Sequence, residues 1–479
     1  MIDKAVLGGC VVALLGGCTV GPNYQPPSAS APAKWATPLA AGESDTPAAL
    51  ASWWTNFKDP QLDALVDTAV RSNLTLRVAE EHVLEARAAR DVVAGGRWPS
   101  AGTSAAYSRN RYGAHSFPPL SLLPGIPLDY DLYTAGFDAS WELDLFGGVR
   151  RSLEASSAEV GAAEYSRRDV LVSVLAEVAR DYIDARAYQE RLDITRQNVA
   201  AEQAVVELTR SRYQGGLASD LDVEQATALL TATQAQLPAL ESGFTQAVHH
   251  LSILLGENPG ALLERMSRVA PIPLTPPVVP VGLPSDLLRR RPDVQRAERE
   301  LAAATAQIGV AQAQLFPKVS LVGALGISST STSNLLDYAS RYWSAGPSIQ
   351  WNLLQGGSLR ANVRVQRARS EQTLDTYRQT VLVALEDAEN ALVAYAKEQI
   401  RRGSLAQSVQ SSETAFRLSS ELYQSGLVDF LNVLDAERTL YAAQDALVGS
   451  TESVSLDLVQ LYKALGGGWQ LDSATKSSP

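Results

Sequence analysis

The sequence predicts a membrane α+β fold built from two tandem repeats, in which a few amphipathic strands enter the bilayer and very long helices pack as coiled coils. Three observations carry this expectation: an internal duplication, four stretches of strand-type alternation, and long helical stretches without proline. With 479 residues the chain suffices for several domains or one elongated body, and 46% hydrophobic against 19% charged residues marks an ordered polypeptide. The net charge of -11 argues against a nucleic-acid partner, because binding phosphates needs a basic surface. Beyond the leader no apolar run reaches the roughly 18 residues of a transmembrane helix, so any passage through a membrane has to be made by strands.

The leader comes first in the chain. Lys4 supplies a positive start, and residues 5–17 are apolar or small, as in the core of a secretory signal. The tetrapeptide Leu-Gly-Gly-Cys occurs twice, ending at Cys10 and at Cys18, the only cysteines in the sequence. Processing before Cys10 leaves too short an apolar core, whereas processing before Cys18 leaves an adequate one. The second copy resembles a bacterial lipobox. That resemblance implies a lipoprotein signal peptide over 1–17, a covalent lipid with palmitate on Cys18, and, with Thr19 next in line, export to the outer membrane.

The remainder reads as one unit copied twice. At a constant offset Tyr213, Gly216, Leu217, Val223 and Gly256 fall on Tyr423, Gly426, Leu427, Val433 and Gly466, while Trp141 and Arg150 fall on Trp351 and Arg360. The divisions that follow are an N-terminal segment (18–60), repeat 1 (61–256), a linker (257–284), repeat 2 (285–466) and a C-terminal tail (467–479). Each repeat is expected to hold a helix (61–95; 285–314), two strands and two long helical stretches.

The strands show period-2 alternation. In "FDASWELDLF" Phe137, Ala139, Trp141, Leu143 and Leu145 fall on one side and Asp138, Ser140, Glu142 and Asp144 on the other. Its copy sets Ile349, Trp351 and Leu353 against Ser348, Gln350 and Asn352. One apolar and one polar face suit a membrane barrel whose acidic lumen face is Asp138, Glu142 and Asp144. Four strands cannot close a barrel, and an open edge is not tolerated in lipid, so the chain has to oligomerise; a water-filled lumen needs more than about eight strands, which three copies supply.

The helical stretches 150–211 and 360–421 lack proline and would each extend about 90 Å. Beyond them apolar residues recur every seven, at Val223, Leu230, Leu237, Phe244 and Leu251, and again at Val433, Leu440, Leu447, Val454 and Leu461. Pro238 interrupts the first stripe where the second has Val448, which predicts a kink. Gly216 and Gly426 suit positive φ at the turn joining the paired helices, with Ser219 or Asp220 and Asp429 as caps for the next helix.

In chain order, "CTVGPNYQPP", "WWTNFKDPQLDALVDTAVRSNLTL", "WELDLFGGVRR", "GLPSDLLRRRPDVQRAERELAAA", the two YQ-x-G-L turns and "LYKALGGGW" together resemble the TolC/OprM outer-membrane efflux channel family, in its lipoprotein branch. The resemblance implies a homotrimer: a twelve-strand β-barrel in the outer-membrane lipid of a Gram-negative bacterium, four strands per chain, continued by a long coiled-coil α-helical barrel into the periplasm. It further implies a passive exit duct in a tripartite efflux system, docked to a periplasmic adaptor (membrane fusion protein) and an inner-membrane pump of RND type. Loops over 110–132 and 329–341 would face the exterior. The tip turns Tyr213, Gly216, Leu217, Tyr423, Gly426 and Leu427 would meet the adaptor, and Leu431, Asp435 and Arg438 would close the periplasmic aperture, Asp435 and Arg438 pairing within or between copies. Alternatives are a protein-secretion (type I) duct and a structural periplasmic coiled-coil lipoprotein.

No enzyme is expected. The sequence lacks a phosphate loop, a G-x-S-x-G elbow and an H-E-x-x-H pair. His82, His115, His249 and His250 are scattered or point apart, Met266 is the one methionine after the leader, and neither a metal site nor a cofactor beyond the lipid on Cys18 is expected. Substitution Cys18→Ala is expected to abolish palmitate labelling while Cys10→Ala leaves it intact; labelling that survives in the Cys18 variant would move the anchor to Cys10.

Overall fold

The computed structural model describes residues 19–27, 32–38, 43–44, 50–113, 129–273, 275–276 and 279–470. The leader, Cys10, Cys18, most of the first outward loop and the tail beyond residue 470 lie outside these residues. The chain divides into two compact units, one of residues 1–27, 83–162 and 297–377, the other of residues 28–82, 163–296 and 378–479.

The elements in chain order are β1 (Glu43–Ser44), α1 (Pro60–Ser72), α2 (Leu74–Gly95), β2 (Ser100–Arg111), β3 (Asp129–Leu143), α3 (Gly148–Gln214), α4 (Asp220–Gln234) and α5 (Leu237–Leu254). They continue with α6 (Leu263–Met266), β4 (Val279–Pro280), α7 (Pro284–Arg290), α8 (Pro292–Ala313), β5 (Lys318–Ser329), β6 (Arg341–Gln350), α9 (Ser358–Gln424) and α10 (Phe430–Ala464). α3 and α9 are both 67 residues long, about 100 Å at the α-helical rise. No described helix is long and apolar enough to cross a membrane.

The first unit holds an antiparallel sheet in the order β2-β3-β5-β6. Its two hairpins repeat one another down to a hydrogen bond: Trp141 Nε1 donates to Arg97 O at 3.0 Å, and Trp351 Nε1 donates to Leu315 O at 3.1 Å. Residues 19–27 belong to this unit. Arg151 explains why. Its almost fully buried guanidinium donates to Val20 O (3.0 Å), Gly21 O (3.1 Å) and Asn23 Oδ1 (2.7 Å), fixing three residues of a segment with no regular structure.

In the second unit β1 and β4 form a parallel two-stranded pairing. Its core gathers Trp53, Tyr182, Arg186 and Tyr462, with the rings of Trp53 and Tyr462 stacked at 5.2 Å. Arg186 is buried because its guanidinium is met by Gln189 Oε1 at 2.6 Å, Gln61 Oε1 at 2.6 Å and Arg268 O at 2.9 Å.

Each leading helix, expected as one piece, is two. Asn73 separates α1 from α2 because its buried side chain donates to Leu254 O (2.8 Å) and accepts from Leu76 N (2.9 Å), drawing the backbone to ψ 123°. In the copy Arg291 turns out at ψ 118° before Pro292, as residues preceding proline do. The kink expected at Pro238 is present: α4 ends at Gln234 and α5 starts at Leu237, with Ala235 and Gln236 between them still in right-handed helical conformation, whereas α10 runs 35 residues without interruption.

Four helix ends share one device. At Gly216, Gly256, Gly426 and Gly466 φ lies between 71 and 74°, and the next residue donates back five positions: Leu217 to Arg212 O, Glu257 to Ser252 O, Leu427 to Leu422 O, Gly467 to Tyr462 O. A Cβ at Gly256 would lie 2.6 Å from Ser72 O, and one at Gly466 would lie 3.1 Å from Arg290 O; at Gly216 and Gly426 the space is open. Gly256→Ala and Gly466→Ala are therefore expected to lose about 1–2 kcal/mol more stability than Gly216→Ala and Gly426→Ala, read from thermal unfolding in detergent. Equal losses at all four would show that positive φ alone sets the cost.

Candidate channel and gate residues

Residues directly opposite in neighbouring strands share a face of the sheet. Phe137 lies opposite Thr103 and Leu325, and Leu325 opposite Trp343; Trp141 lies opposite Leu321, and Leu321 opposite Pro347. Ala135, Ala139, Ile327 and Ile349 fall on the same face, and Phe137, Leu325, Trp343 and Ile349 are exposed. The other face carries Gly102, Ser104, Asp138, Ser140, Glu142, Ser320, Ser344 and Ser348. The sheet is apolar on one side and hydrophilic on the other, and among the described residues β2 and β6 have no strand paired along their outer edges.

Asp138 and Glu142 stand on the hydrophilic face as expected, and Asp144 does not. β3 ends at Leu143, and the Asp144 carboxylate accepts from the backbone N–H of Val149 (3.0 Å) and Arg150 (2.9 Å) while pairing with Arg150 Nε at 3.2 Å. It caps the first turn of α3, whose N–H groups have no partner inside the helix. Leu145, Trp351 and Leu353 likewise fall outside the strands. Alternation missed one contributor: Lys318 Nζ lies 3.5 Å from Glu142 Oε2 and offsets part of that face's charge.

The two glycine turns are alike in backbone and unlike in side chains. Leu217 and Leu427 are both 71% exposed. Tyr213 is 46% exposed, but Tyr423, expected beside it as a tip contact, is only 6% exposed. The Tyr423 ring packs on Phe430 at 5.5 Å and lies under the Arg212 guanidinium at 4.7 Å, in a cluster with Val206, Ala226, Val433 and Leu434. Burial in this cluster removes Tyr423 from the tip surface. Ser219 caps α4 reciprocally with Asp222, whereas Asp429 precedes α10 without a side-chain cap.

On α10 the buried face is Phe430, Val433, Leu434, Glu437 and Leu440, so Leu431, Asp435 and Arg438 project outward and are exposed. No ion pair joins Asp435 to Arg438 within the chain, although they lie three positions apart on one helix. The charged residue that α10 does bury is Glu437, at 0% exposure, and Glu202 of α3 is 1% exposed. Glu437 was legible in principle, because it continues the 4-3 spacing of Phe430 and Leu434. Nothing in the pattern around Glu202 marks it as buried.

The family model for "Outer membrane efflux protein" matches residues 65–257 and 283–467. The chain is 34% identical over 475 residues, 98% of each sequence, to the pyoverdine export outer membrane protein OpmQ of Pseudomonas aeruginosa. To the toluene efflux pump outer membrane protein TtgI of Pseudomonas putida it is 32% identical, over 96% of this chain and 97% of that one. Among solved structures, the outer-membrane channel OprN superposes with a TM-score of 0.87 at 38% identity, over 94% of this chain and 100% of that one. An amphipathic sheet with unpaired edges, a duplicated helical hairpin and these likenesses agree, and the chain belongs to the outer membrane efflux protein family.

Proposed function

We propose that three copies of this chain form the exit duct of a tripartite efflux pump of RND type, anchored in the outer membrane by a lipid on Cys18. The observation that carries this reading is the four-stranded sheet, apolar on one face and hydrophilic on the other, with both edges unpaired. A lone sheet of this kind cannot rest in lipid, whereas three copies edge to edge close a barrel with polar residues toward the lumen. The duct conducts and catalyses nothing; adaptor and inner-membrane pump supply energy and selection. OpmQ and TtgI are named for pyoverdine export and toluene efflux at nearly equal identity to this chain, which fits a conduit that does not read its cargo.

At the periplasmic end, the exposed Tyr213, Leu217 and Leu427 at the Gly216 and Gly426 turns offer the adaptor an apolar contact. Leu431, Asp435 and Arg438 close the aperture between copies, since the pair is open within one chain. Closure releases when the second hairpin, α9 with α10, swings outward. Trimers carrying Asp435→Ala/Arg438→Ala are expected to show several-fold higher resting conductance in planar bilayers; unchanged conductance would overturn the gate assignment. In the barrel, Asp138 is the lumen carboxylate without an ion pair, so Asp138→Asn is expected to move the reversal potential toward non-selectivity further than Glu142→Gln does, the parent favouring cations. An anion-selective parent would refute the lumen assignment.

A further inference from the structure

Glu202 and Glu437 are buried in the second unit at the tip, and the gate does not use them. Their surroundings are polar on one side only. Thr233 of α4 donates its hydroxyl to Glu202 Oε1 at 2.8 Å, and Tyr441 of α10 donates its hydroxyl to Glu437 Oε1 at 2.8 Å. The second oxygen of each carboxylate is buried with no hydrogen-bond partner. Among the described residues no cation compensates either group. Arg212 of α3 is engaged over Tyr423 and donates to Gln424 O at 3.3 Å. Of the other charged groups nearby in sequence, Glu207 and Arg210 of α3 face solvent as a pair, as do Arg417 and Glu421 of α9; Glu224 of α4, Glu413 of α9 and Arg438 of α10 are exposed.

A buried carboxylate lacking both a cation and a full set of donors is costly when ionised and cheap when protonated. Burial pushes the Glu202 carboxyl up to about 7, with the charge of Glu437 acting in the same direction and the Thr233 hydrogen bond opposing. Burial raises Glu437 as well, opposed by the Tyr441 hydrogen bond. The placement matters more than the shifts. Glu202 is on the first hairpin and Glu437 on the second, back to back with the outward-facing Leu431, Asp435 and Arg438.

We infer that Glu202 and Glu437 form a proton-operated latch that holds the second helical hairpin against the first, proton loss favouring separation of the tip. This rests on the reading that the aperture opens by movement of the second hairpin. The sign follows from linkage. The packed arrangement binds protons more tightly than a solvated one, so its extra stability is complete below the ordinary glutamate range and is lost as pH rises toward the raised value of Glu202, near 7.

The test is the distance between spin labels at Leu217→Cys and Leu427→Cys, in trimers diluted with unlabelled copies so that the pair within one chain is read. Between pH 5 and pH 8 the ratio of separated to packed populations is expected to rise on the order of tenfold or more. In Glu202→Gln/Glu437→Gln that rise is expected to vanish, the tip staying packed at both pH values. A parent distance that ignores pH would overturn the latch. So would an equal response in the glutamine variant, which would assign the titration to other raised carboxyls such as Asp181 beside His250 or Glu452 beside Arg191. If the double variant does not assemble, Glu202→Gln alone is read for the same loss. Conductance recorded on the same samples separates the two readings: hairpins that part with pH while resting conductance stays fixed would leave the latch standing and remove the gate.

Discussion

The structure depends on a hydrogen-bonding constraint at the outer edges of β2 and β6. Each edge carries a row of backbone N–H and C=O groups that no strand among the described residues satisfies. In water such an edge is tolerable; in a bilayer every unmade bond is a large penalty. The face bearing Phe137, Leu325, Trp343 and Ile349 makes water equally unsuitable for the sheet, since those side chains are exposed together. Lipid suits the face and forbids the edge. Only pairing with further copies meets both demands, so association is a condition of the fold and not an addition to it.

Duplication explains how one chain supplies two equivalent hairpins, and divergence shows where equivalence is no longer needed. Indole-to-carbonyl bonds at Trp141 and Trp351 and the glycine reversals at both ends of the returning helices are kept in both halves. Each of these partners or shapes the backbone, which is the same in both halves. Side-chain environments drift instead. Asn73 breaks its leading helix by bonding Leu254, whereas its counterpart Arg291 does so ahead of a proline and spends its guanidinium on Asp293 and Asp387. Tyr213 faces solvent and Tyr423 fills a core.

Periodicity made the fold legible because its signals are local. Alternation from Phe137 to Leu143 and heptads from Val433 to Leu461 each report one face of one element, and the duplication doubled every such signal. Errors arose where a residue's role depends on something outside that window. Asp144 continues the alternation perfectly, yet the strand has ended and the carboxylate serves a helix N-terminus. Lys318 belongs to a different strand from the Glu142 it neutralises, and a single-strand reading cannot pair them. Tyr423 sits in the same motif as Tyr213, and its burial follows from Phe430 and Arg212 converging on it in three dimensions. Residues 19–27 carry no pattern, because what orders them is a distant arginine.

The proposed opening of the tip has to draw its free-energy difference from somewhere, and solvent-exposed charges are a poor reservoir. Asp435 and Arg438 are exposed, and screening leaves little per exposed pair, so the gate proposed above depends on multiplication by symmetry. The apolar cluster around Tyr423 and Phe430 holds the hairpins together but responds to no signal. A buried carboxylate differs from both: it is unscreened, acts within one chain, and its cost changes with a single proton. Replacing Glu437 by leucine would continue the apolar face of Phe430, Leu434 and Leu440 and pack the hairpins more firmly. An ionisable group at a position where an apolar one would hold better is what the proposed release requires.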